Sequence, residues 1–517
     1  MPGRTTATHP PPLDVTMVVP EARPFAQTGG LADVAGALPQ ALARLGHRVT
    51  VVMPHYRGID IRPEDRRESA RLPLGEGQGV VFVERPLGPG VRIVFVDAPE
   101  LFDRPALYGV GNDDYPDNWL RFAVLSLGAI EHARKEGRRP SVFHAHDWQA
   151  GLVAAYLKTR FADDPLVGGV PSVLTIHNLA FQGLFPPFVL PAIGLRWDLF
   201  RVDLLEYWGQ VSYLKAGVNF SRMITTVSPT YAKEVLTPEL GFGFDGILAN
   251  RAADLVGILN GIDTDVWNPE DDQYLPEPFS AGALAGKAAA KRELLRAAGL
   301  PAGDDEMARP VIGMVSRLTD QKGFDLVQQA AGGLMGLDAS WVVLGSGEPR
   351  YERFWTALAG LHRQRVAVRI GFDERLSHLI EGGADLFLMP SRFEPCGLNQ
   401  MYSLRYGTVP VVRATGGLDD TVIDADASPA SGTGFTFKPY TPDALLDAVE
   451  RALRAWGDPR RRLGIQRRGM RQDHAWDVSA REYVKVYRMA AGTLPAARRS
   501  GGTAGASRPR AIGRTRR

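Results

Sequence analysis

Cysteine, long apolar runs and a leader-like segment are scarce or absent in this sequence. Cys396 is the single cysteine among 517 residues, which excludes an intrachain disulfide and is typical of a reducing compartment. No stretch approaches the roughly 18 consecutive apolar residues that a membrane span needs. Residues 1–13 contain no apolar segment of the secretory type. These absences predict a cytoplasmic protein with no membrane partner.

Net charge is also nearly absent, because 60 basic and 58 acidic residues leave a formal charge of +2. This balance gives no reason to expect a nucleic-acid partner. The basic excess lies in residues 494–517, which hold seven arginines and no acidic residue. That tail and the N-terminal residues 1–13 are predicted to be flexible or disordered, since neither can form a core.

Strand-like apolar runs alternate with helical segments along most of the chain. A chain of 517 residues exceeds one core. We predict two Rossmann-like, doubly wound α/β domains that face a central cleft, at 14–250 and 251–470, and a helix within 471–490 that crosses back to the first. The strands are predicted at 14–20, 48–53, 79–83, 91–96, 141–144, 172–176, 255–259, 311–315, 340–344, 366–370, 385–389 and 409–412.

The stretch from Val311 to Gly323 predicts a site for an anion. It begins as a buried strand and ends in a polar loop with Arg317 and Lys322, just before a predicted helix at Phe324. A guanidinium binds phosphate oxygens two at a time, an ammonium adds a point charge, and the helix start adds its dipole. Solvated surface cations are the alternative.

The four residues Thr-Gly-Gly-Leu occur once in each half, at Thr28–Leu31 and at Thr415–Leu418. Both copies are predicted where a strand gives way to a helix. Paired glycines there allow backbone N–H groups to approach a ligand closely. A tight turn that needs glycine for packing alone is the competing interpretation. Gly29, Gly30, Thr415, Gly416 and Gly417 are therefore candidate donors to an anion.

Three further loops follow predicted strands and carry polar side chains. His144, His146 and Asp147 could ligate a metal, but no further histidine or cysteine pair completes such a site, so none is expected. His177 and Glu394 are candidates for ligand contacts at strand ends. Cys396 has no base in its own loop and is interpreted as a packing residue.

These motifs, together with Asn260-Gly261-Ile262-Asp263, resemble bacterial glycogen synthases and plant starch synthases in order and approximate spacing. The resemblance extends from about residue 14 to 489. It implies a GT-B fold and transfer of glucose from ADP-glucose to the non-reducing end of an α-1,4-glucan, with retention of the anomeric configuration. It implies no cofactor and no metal, and the oligomeric state is not indicated.

The resemblance also implies residue roles. Arg317 and Lys322 would hold the donor diphosphate, with backbone donors from Gly29, Gly30 and the Thr415–Gly417 loop. His177 would lie against the sugar ring. The remaining residues, Asp33, Asp147, Asn260 and Glu394, would line the sugar and acceptor side.

One position departs from the family pattern, which has lysine immediately before the first Thr-Gly-Gly loop. Here that residue is Gln27. A glutamine amide can donate a hydrogen bond to phosphate but brings no charge. Weaker donor binding, or a different balance between ADP-glucose and UDP-glucose, is the prediction. A UDP-glucose-dependent synthase and a glucan-binding pseudoenzyme are the alternative functions.

Overall fold

The computed structural model describes residues 11–111 and 113–494. Residues 1–10 of the predicted flexible N-terminus and residues 495–517 of the predicted tail lie outside the described residues. Within the described part, no helix is long and apolar enough to cross a membrane.

The described residues form twenty strands. In chain order they are β1 Asp14–Val18, β2 Arg48–Pro54, β3 Arg66–Leu72, β4 Gln78–Gly88, β5 Val91–Asp97, β6 Gly109–Val110, β7 Asp113–Asp114, β8 Val142–His146, β9 Ser172–Ile176, β10 Leu184–Phe185, β11 Glu206–Tyr207, β12 Gln210–Ser212, β13 Met223–Thr226, β14 Leu255–Gly257, β15 Val311–Val315, β16 Ser340–Gly345, β17 Val366–Ile370, β18 Leu386–Met389, β19 Val409–Arg413 and β20 Phe435–Phe437.

Eighteen α-helices accompany them in the same described part. They are α1 Gly30–Arg44, α2 Pro99–Phe102, α3 Asn118–Lys135, α4 Leu152–Lys158, α5 Val189–Ala192, α6 Tyr213–Phe220, α7 Pro229–Glu234, α8 Asp245–Ala249, α9 Ala285–Ala297, α10 Asp304–Ala308, α11 Phe324–Gly336, α12 Pro349–Leu361, α13 Glu374–Gly383, α14 Asn399–Arg405, α15 Gly416–Thr421, α16 Pro442–Trp456, α17 Pro459–Met470 and α18 Trp476–Ala490.

Two mostly parallel sheets organise the chain. The first has the order β14-β13-β9-β8-β1-β2-β5-β4-β3, and the second has the order β17-β16-β15-β18-β19-β20. Central strands such as β1 and β8 are buried along their whole length, as continuous apolar or small runs favour in a sheet covered on both faces. The predicted α/β class with two such sheets is confirmed. The first sheet with its helices is called the first half below, and the second sheet with its helices the second half.

The structure corrects two details of the predicted sheets. β4 pairs antiparallel with β5, because the short turn between Gly88 and Val91 can join only antiparallel neighbours. β4 also pairs antiparallel with β3, a strand that was not predicted from the sequence. β14 pairs with β13 at the edge of the first sheet, with Leu255 beside Ile224, so its assignment to the second half was wrong.

The last helix, α18, packs against α1, β9 and β13 of the first half. Its Ser479 hydroxyl donates to the Leu259 carbonyl at 2.5 Å, and Tyr487 shares a hydrogen bond of 2.8 Å with His144. The chain therefore crosses between the halves twice, once near residue 260 and once just before α18. The exact domain bounds stay a prediction.

Candidate active site

Lys322 and Glu394 meet at the carboxyl ends of β15 and β18, which are neighbours in the second sheet. Gly323 has a φ of 80°, and a Cβ there would lie 2.1 Å from the Pro390 carbonyl oxygen, so the two loops touch backbone to backbone. The Lys322 Nζ consequently lies 2.6 Å from the Glu394 carboxylate, which also accepts a hydrogen bond of 3.0 Å from the Ser391 hydroxyl.

Arg317 lies on the same loop as Lys322 but is exposed. Among the described residues it has no ion-pair partner. A solvated guanidinium beside a paired ammonium leaves one cation available at this edge of the sheet, where an anion could bind without displacing an internal partner.

The second Thr-Gly-Gly-Leu copy lies beneath the Glu394 loop. Gly416 has a φ of 47°, and a Cβ there would lie 1.9 Å from the Glu394 carbonyl oxygen. A Cβ on Gly417 would lie 2.2 Å from the Cys396 carbonyl oxygen. Both glycines are thus required by close packing, and this loop supports Glu394 from below.

Polar groups of this second copy are bonded to a carboxylate of the first half. The Thr415 hydroxyl and the Gly416 N–H donate to Glu234 at 2.9 and 3.0 Å. The other Glu234 carboxylate oxygen is buried without a hydrogen-bond partner, and burial raises the pKa of the group. The predicted role of Thr415, Gly416 and Gly417 as donor-binding groups stays a prediction, since Glu234 holds two of these donors here.

The first Thr-Gly-Gly-Leu copy faces the second half across open space. Thr28, Gly29 and Gly30 are exposed, and a Cβ on Gly29 would meet nothing nearer than 3.9 Å. The nearest neighbour of a Cβ on Gly30 would be the Leu398 side chain at 3.7 Å, in the second half. The Thr28 N–H and hydroxyl both donate to Glu21 at 2.7 Å. This carboxylate, which also accepts from the Gly29 backbone N–H, fixes the loop, and both glycines stay exposed.

Gln27, the residue that departs from the family pattern, bonds to the first turn of α1. Its amide nitrogen donates to Asp33 at 3.1 Å, and the Arg23 guanidinium lies 3.0 Å from the other Asp33 oxygen. Burial raises the pKa of Asp33, and the Arg23 charge opposes that rise. Asp33 is thus shared by one neutral and one cationic side chain.

Asp147 and His177 are coupled at the carboxyl ends of β8 and β9. The backbone N–H of His177 donates to the Asp147 carboxylate at 2.7 Å. Asp147 has a positive φ of 53°, an uncommon conformation for a residue with a side chain. Burial raises the pKa of Asp147 to about 7 and lowers that of His177 to about 3, so His177 is neutral at pH 7.

Two histidines behind His177 form part of the same wall. His146 Nδ1 shares a hydrogen bond of 2.9 Å with His177 Nε2, which orients the His177 ring. His144 is bonded to Tyr487 of α18 and to Thr175, and burial lowers its pKa to about 3. From the sequence these histidines were interpreted as part of a polar loop lining the cleft, with metal ligation as the less favoured alternative, and their positioning role was missed.

Asn260 and Cys396 lie together where the chain first crosses between the halves. Asn260 is buried, its side-chain oxygen has no hydrogen-bond partner, and its backbone contacts the Cys396 thiol. Burial raises the pKa of Cys396 to about 12, so the thiol stays protonated, as a packing residue does.

One acidic cluster outside this site has the spacing of metal ligands, but its carboxylates are already paired with arginines. Glu84, His132 and Glu136 have the spacing of metal ligands, but Arg66 and Arg92 form ion pairs with both carboxylates. The guanidiniums therefore occupy the positions that a cation would need. No ligand cluster in the described ranges includes His144, His146 or Asp147.

A cavity of about 470 Å³ opens at the amino ends of β1, β2 and β5 in the first sheet, away from the carboxyl ends that carry the candidate site. Arg48 and Arg138, which line it, both pair with Asp14. Because both arginines already pair with Asp14 and the cavity lies at the amino ends of the strands, the cleft and not this cavity is the candidate site.

Comparison with known proteins agrees with this geometry. Residues 14–250 match the starch synthase catalytic domain, and residues 303–470 match the glycosyl transferases group 1 domain. The glycogen synthase of Anaeromyxobacter dehalogenans (strain 2CP-C) is 51% identical over 488 residues, which cover 92% of this chain and 99% of the relative. The chain belongs to the glycogen synthase family. The resemblance stated from the motifs is confirmed, and the chain is a glycosyltransferase.

Solved structures place this glycogen synthase family member in the GT-B fold, as predicted. The catalytic domain of starch synthase IV from Arabidopsis thaliana, bound to ADP and acarbose, has a TM-score of 0.86 at 33% identity and covers 93% of this chain and 100% of that one. A sucrose-phosphate synthase from Thermosynechococcus elongatus, with a TM-score of 0.59, 18% identity and coverage of 93% and 99%, shares the fold alone.

The structure brings six of the predicted site residues into contact in pairs. Lys322 and Glu394 are in contact, as are Asp147 and His177 and also Gln27 and Asp33. Glu21, Glu234 and Ser391 were missed. The partner of Glu234 is 181 positions away, whereas Glu21 and Ser391 lie within seven residues of theirs and left a local signal.

Proposed function

We propose that this chain transfers glucose from ADP-glucose to the non-reducing end of an α-1,4-glucan and retains the anomeric configuration. The observation that carries the proposal is the Lys322–Glu394 pair beside the exposed Arg317, opposite the open glycines of the first half. The starch synthase with which the chain shares its fold was solved with ADP and acarbose, which supports a nucleotide and a glucan as ligands.

Cations on the second half would stabilise the departing diphosphate. As the glycosidic bond to the diphosphate breaks, negative charge grows on the leaving oxygen, and fixed cations stabilise that charge most where water is excluded. Arg317 would bind the diphosphate first, because it has no internal partner to give up. Lys322 is held 2.6 Å from Glu394, so its position is set before the donor arrives. Gly29 and Gly30 would add backbone donors from the first half.

The sugar would lie between His177 and Glu394. His177 is neutral, so its ring can exchange hydrogen bonds with hydroxyl groups without adding charge next to the oxocarbenium-like centre. Glu394 would accept from sugar hydroxyls, and Asp33, Asp147 and Asn260 would line the remaining sugar and acceptor side. The Asp147 carboxyl group already accepts from the His177 backbone N–H, and we assign it a supporting role. The Thr415–Gly417 loop would contribute donors once Glu234 releases them.

Initial rates of glucose transfer to glycogen from ADP-glucose and from UDP-glucose test the proposal. We expect a clear preference for ADP-glucose and an α-linked product. Lys322→Ala should lower kcat by about 10²–10³-fold, because it removes a cation aimed at the leaving group. The matched control is Lys485→Ala, since Lys485 forms a 2.6 Å pair with Glu482 on the outer surface of α18.

Other outcomes would select the alternatives. A preference for UDP-glucose would indicate a different donor on the same fold. Glucan binding without incorporation from either donor would indicate a pseudoenzyme. Equal losses in Lys322→Ala and Lys485→Ala would contradict the assigned role of Lys322.

A further inference from the structure

We propose that Arg23 supplies the cation that the family takes from lysine at position 27, and that it does so at the donor diphosphate. The inference rests on the proposed function for the identity of the donor. It concerns the one position where the chain departs from its family, because Gln27 leaves this corner of the cleft without the expected charge.

Arg23 and Gln27 converge on the same carboxylate. The Arg23 guanidinium lies 3.0 Å from one Asp33 oxygen, and the Gln27 amide donates to the other at 3.1 Å. A lysine at 27 would reach the same carboxylate. Arg23, Asp33 and the neutral Gln27 have a net charge of zero. A lysine at position 27 paired with Asp33 would give the same net charge without Arg23.

The backbone of Arg23 is fixed along α1. Its N–H donates to the Ala32 carbonyl at 3.0 Å, and a Cβ on Gly36 would lie 3.1 Å from the Arg23 carbonyl oxygen. The side chain is 38% exposed, against 19% for Asp33, so the guanidinium keeps open faces for a further anion. A guanidinium has five N–H donors and can hold Asp33 and a phosphate together.

Arg23 also lies on the wall that faces the second half. Burial raises the pKa of Tyr402 on α14, and the charge of Asp33 adds to that rise while the charge of Arg23 opposes it. Both groups are therefore close to α14, whose preceding loop carries Glu394. Gly30, three residues after Gln27, also reaches that loop, because a Cβ on it would lie 3.7 Å from the Leu398 side chain. The guanidinium is thus at the edge of the space assigned to the diphosphate.

A double-variant cycle tests the inference by calorimetric titration with ADP and with adenosine. Arg23→Ala should weaken ADP binding about tenfold, the effect of one charge-assisted hydrogen bond, and leave adenosine binding unchanged. Gln27→Lys alone should change ADP binding less than about twofold, because the cation is already present. Gln27→Lys combined with Arg23→Ala should restore most of the lost affinity, and Arg23→Lys should retain it.

The control is Arg44→Ala at the other end of α1, which removes an exposed pair with Asp477 at 2.6 Å. Unchanged ADP affinity in Arg23→Ala would overturn the inference. So would equal losses for ADP and adenosine, or a failure of Gln27→Lys to restore binding in a variant with an unchanged Tm. ADP binding is measured without turnover, so these outcomes are distinct from a failure of glucose transfer, which would count against the proposed function instead.

Discussion

The two Thr-Gly-Gly-Leu copies have the same sequence but different surroundings. At the first copy the glycines are exposed, and an added Cβ would meet no atom within 3.6 Å. At the second copy an added Cβ would overlap backbone oxygens at 1.9 and 2.2 Å. Each threonine bonds to a glutamate, which is Glu21 from the same half at the first copy and Glu234 from the opposite half at the second.

This difference shows that one motif can be glycine-rich for two reasons. The first copy keeps a surface open for a ligand, whereas the second allows a loop to pack beneath Glu394. The two walls also differ in charge. The first wall carries buried, neutral histidines and the paired Arg23 and Asp33, while the second wall carries Arg317, Lys322 and Glu394.

Alanine at matched glycines should give the largest contrast. Gly416→Ala should lower the free energy of unfolding by about 3 kcal/mol or more, because the Cβ overlaps the Glu394 carbonyl oxygen and the residue has a positive φ. Gly29→Ala should change it by less than about 0.5 kcal/mol. Urea unfolding of both variants measures this.

The KM for ADP-glucose gives a second comparison between the two copies. Gly29→Ala should raise the KM for ADP-glucose roughly threefold to tenfold, because a methyl group then stands on the surface that donates to the diphosphate. An equal loss of stability in both variants, or an unchanged KM in Gly29→Ala, would remove the distinction between an open and a packed copy.

The ionisation of the first wall should appear in the pH dependence of stability. The depressed pKa values of His144, His146 and His177 stabilise the folded state above pH 6.5, and this stability is lost as pH falls. The raised pKa of Asp147, about 7, has the opposite sign, since the folded state keeps a proton that the unfolded state releases. The three histidine shifts outweigh the single opposing shift, so these four groups together should lower the free energy of unfolding as pH falls from 6.5 towards 5.

Asp147→Asn removes the opposing proton. The slope of unfolding free energy against pH between pH 5 and 6 should therefore steepen by roughly 1 kcal/mol per pH unit, the effect of one proton. Urea unfolding at both pH values measures it, with Asp198→Asn as the control because Asp198 lies in an exposed pair with Arg196. An unchanged slope would mean that Asp147 is ionised in the folded protein.

The smallest expected effect concerns the donors held by Glu234. Glu234→Ala frees the Thr415 hydroxyl and the Gly416 N–H, so ADP binding should tighten about threefold if these groups reach the diphosphate. Glu234→Gln keeps an acceptor oxygen and serves as the control. Unchanged ADP affinity in Glu234→Ala would leave the second copy with a structural role alone.

Much of this protein followed from its sequence because the signals were local. Buried strands such as β1, β9 and β15 are short apolar runs, and polar loops after parallel strands meet at one edge of a sheet. That rule placed Arg317, Lys322 and Glu394 together at the carboxyl end of the second sheet and His177 at the carboxyl end of the first. It failed for β3 and β14, which are edge strands whose pairing depends on neighbours and not on a distinctive pattern of their own.

Only the tertiary structure decided which side chains are partners. Lys322 and Glu394 are 72 positions apart, and Glu234 and Thr415 are 181 apart, so no periodicity connects them. The need for glycine at position 416 is also a tertiary effect, because an added Cβ would overlap the Glu394 carbonyl oxygen in another loop. Sequence determined the elements and the chemistry at their ends, since both depend on neighbouring residues. The fold determined which charges are paired, because that depends on distances across the cleft.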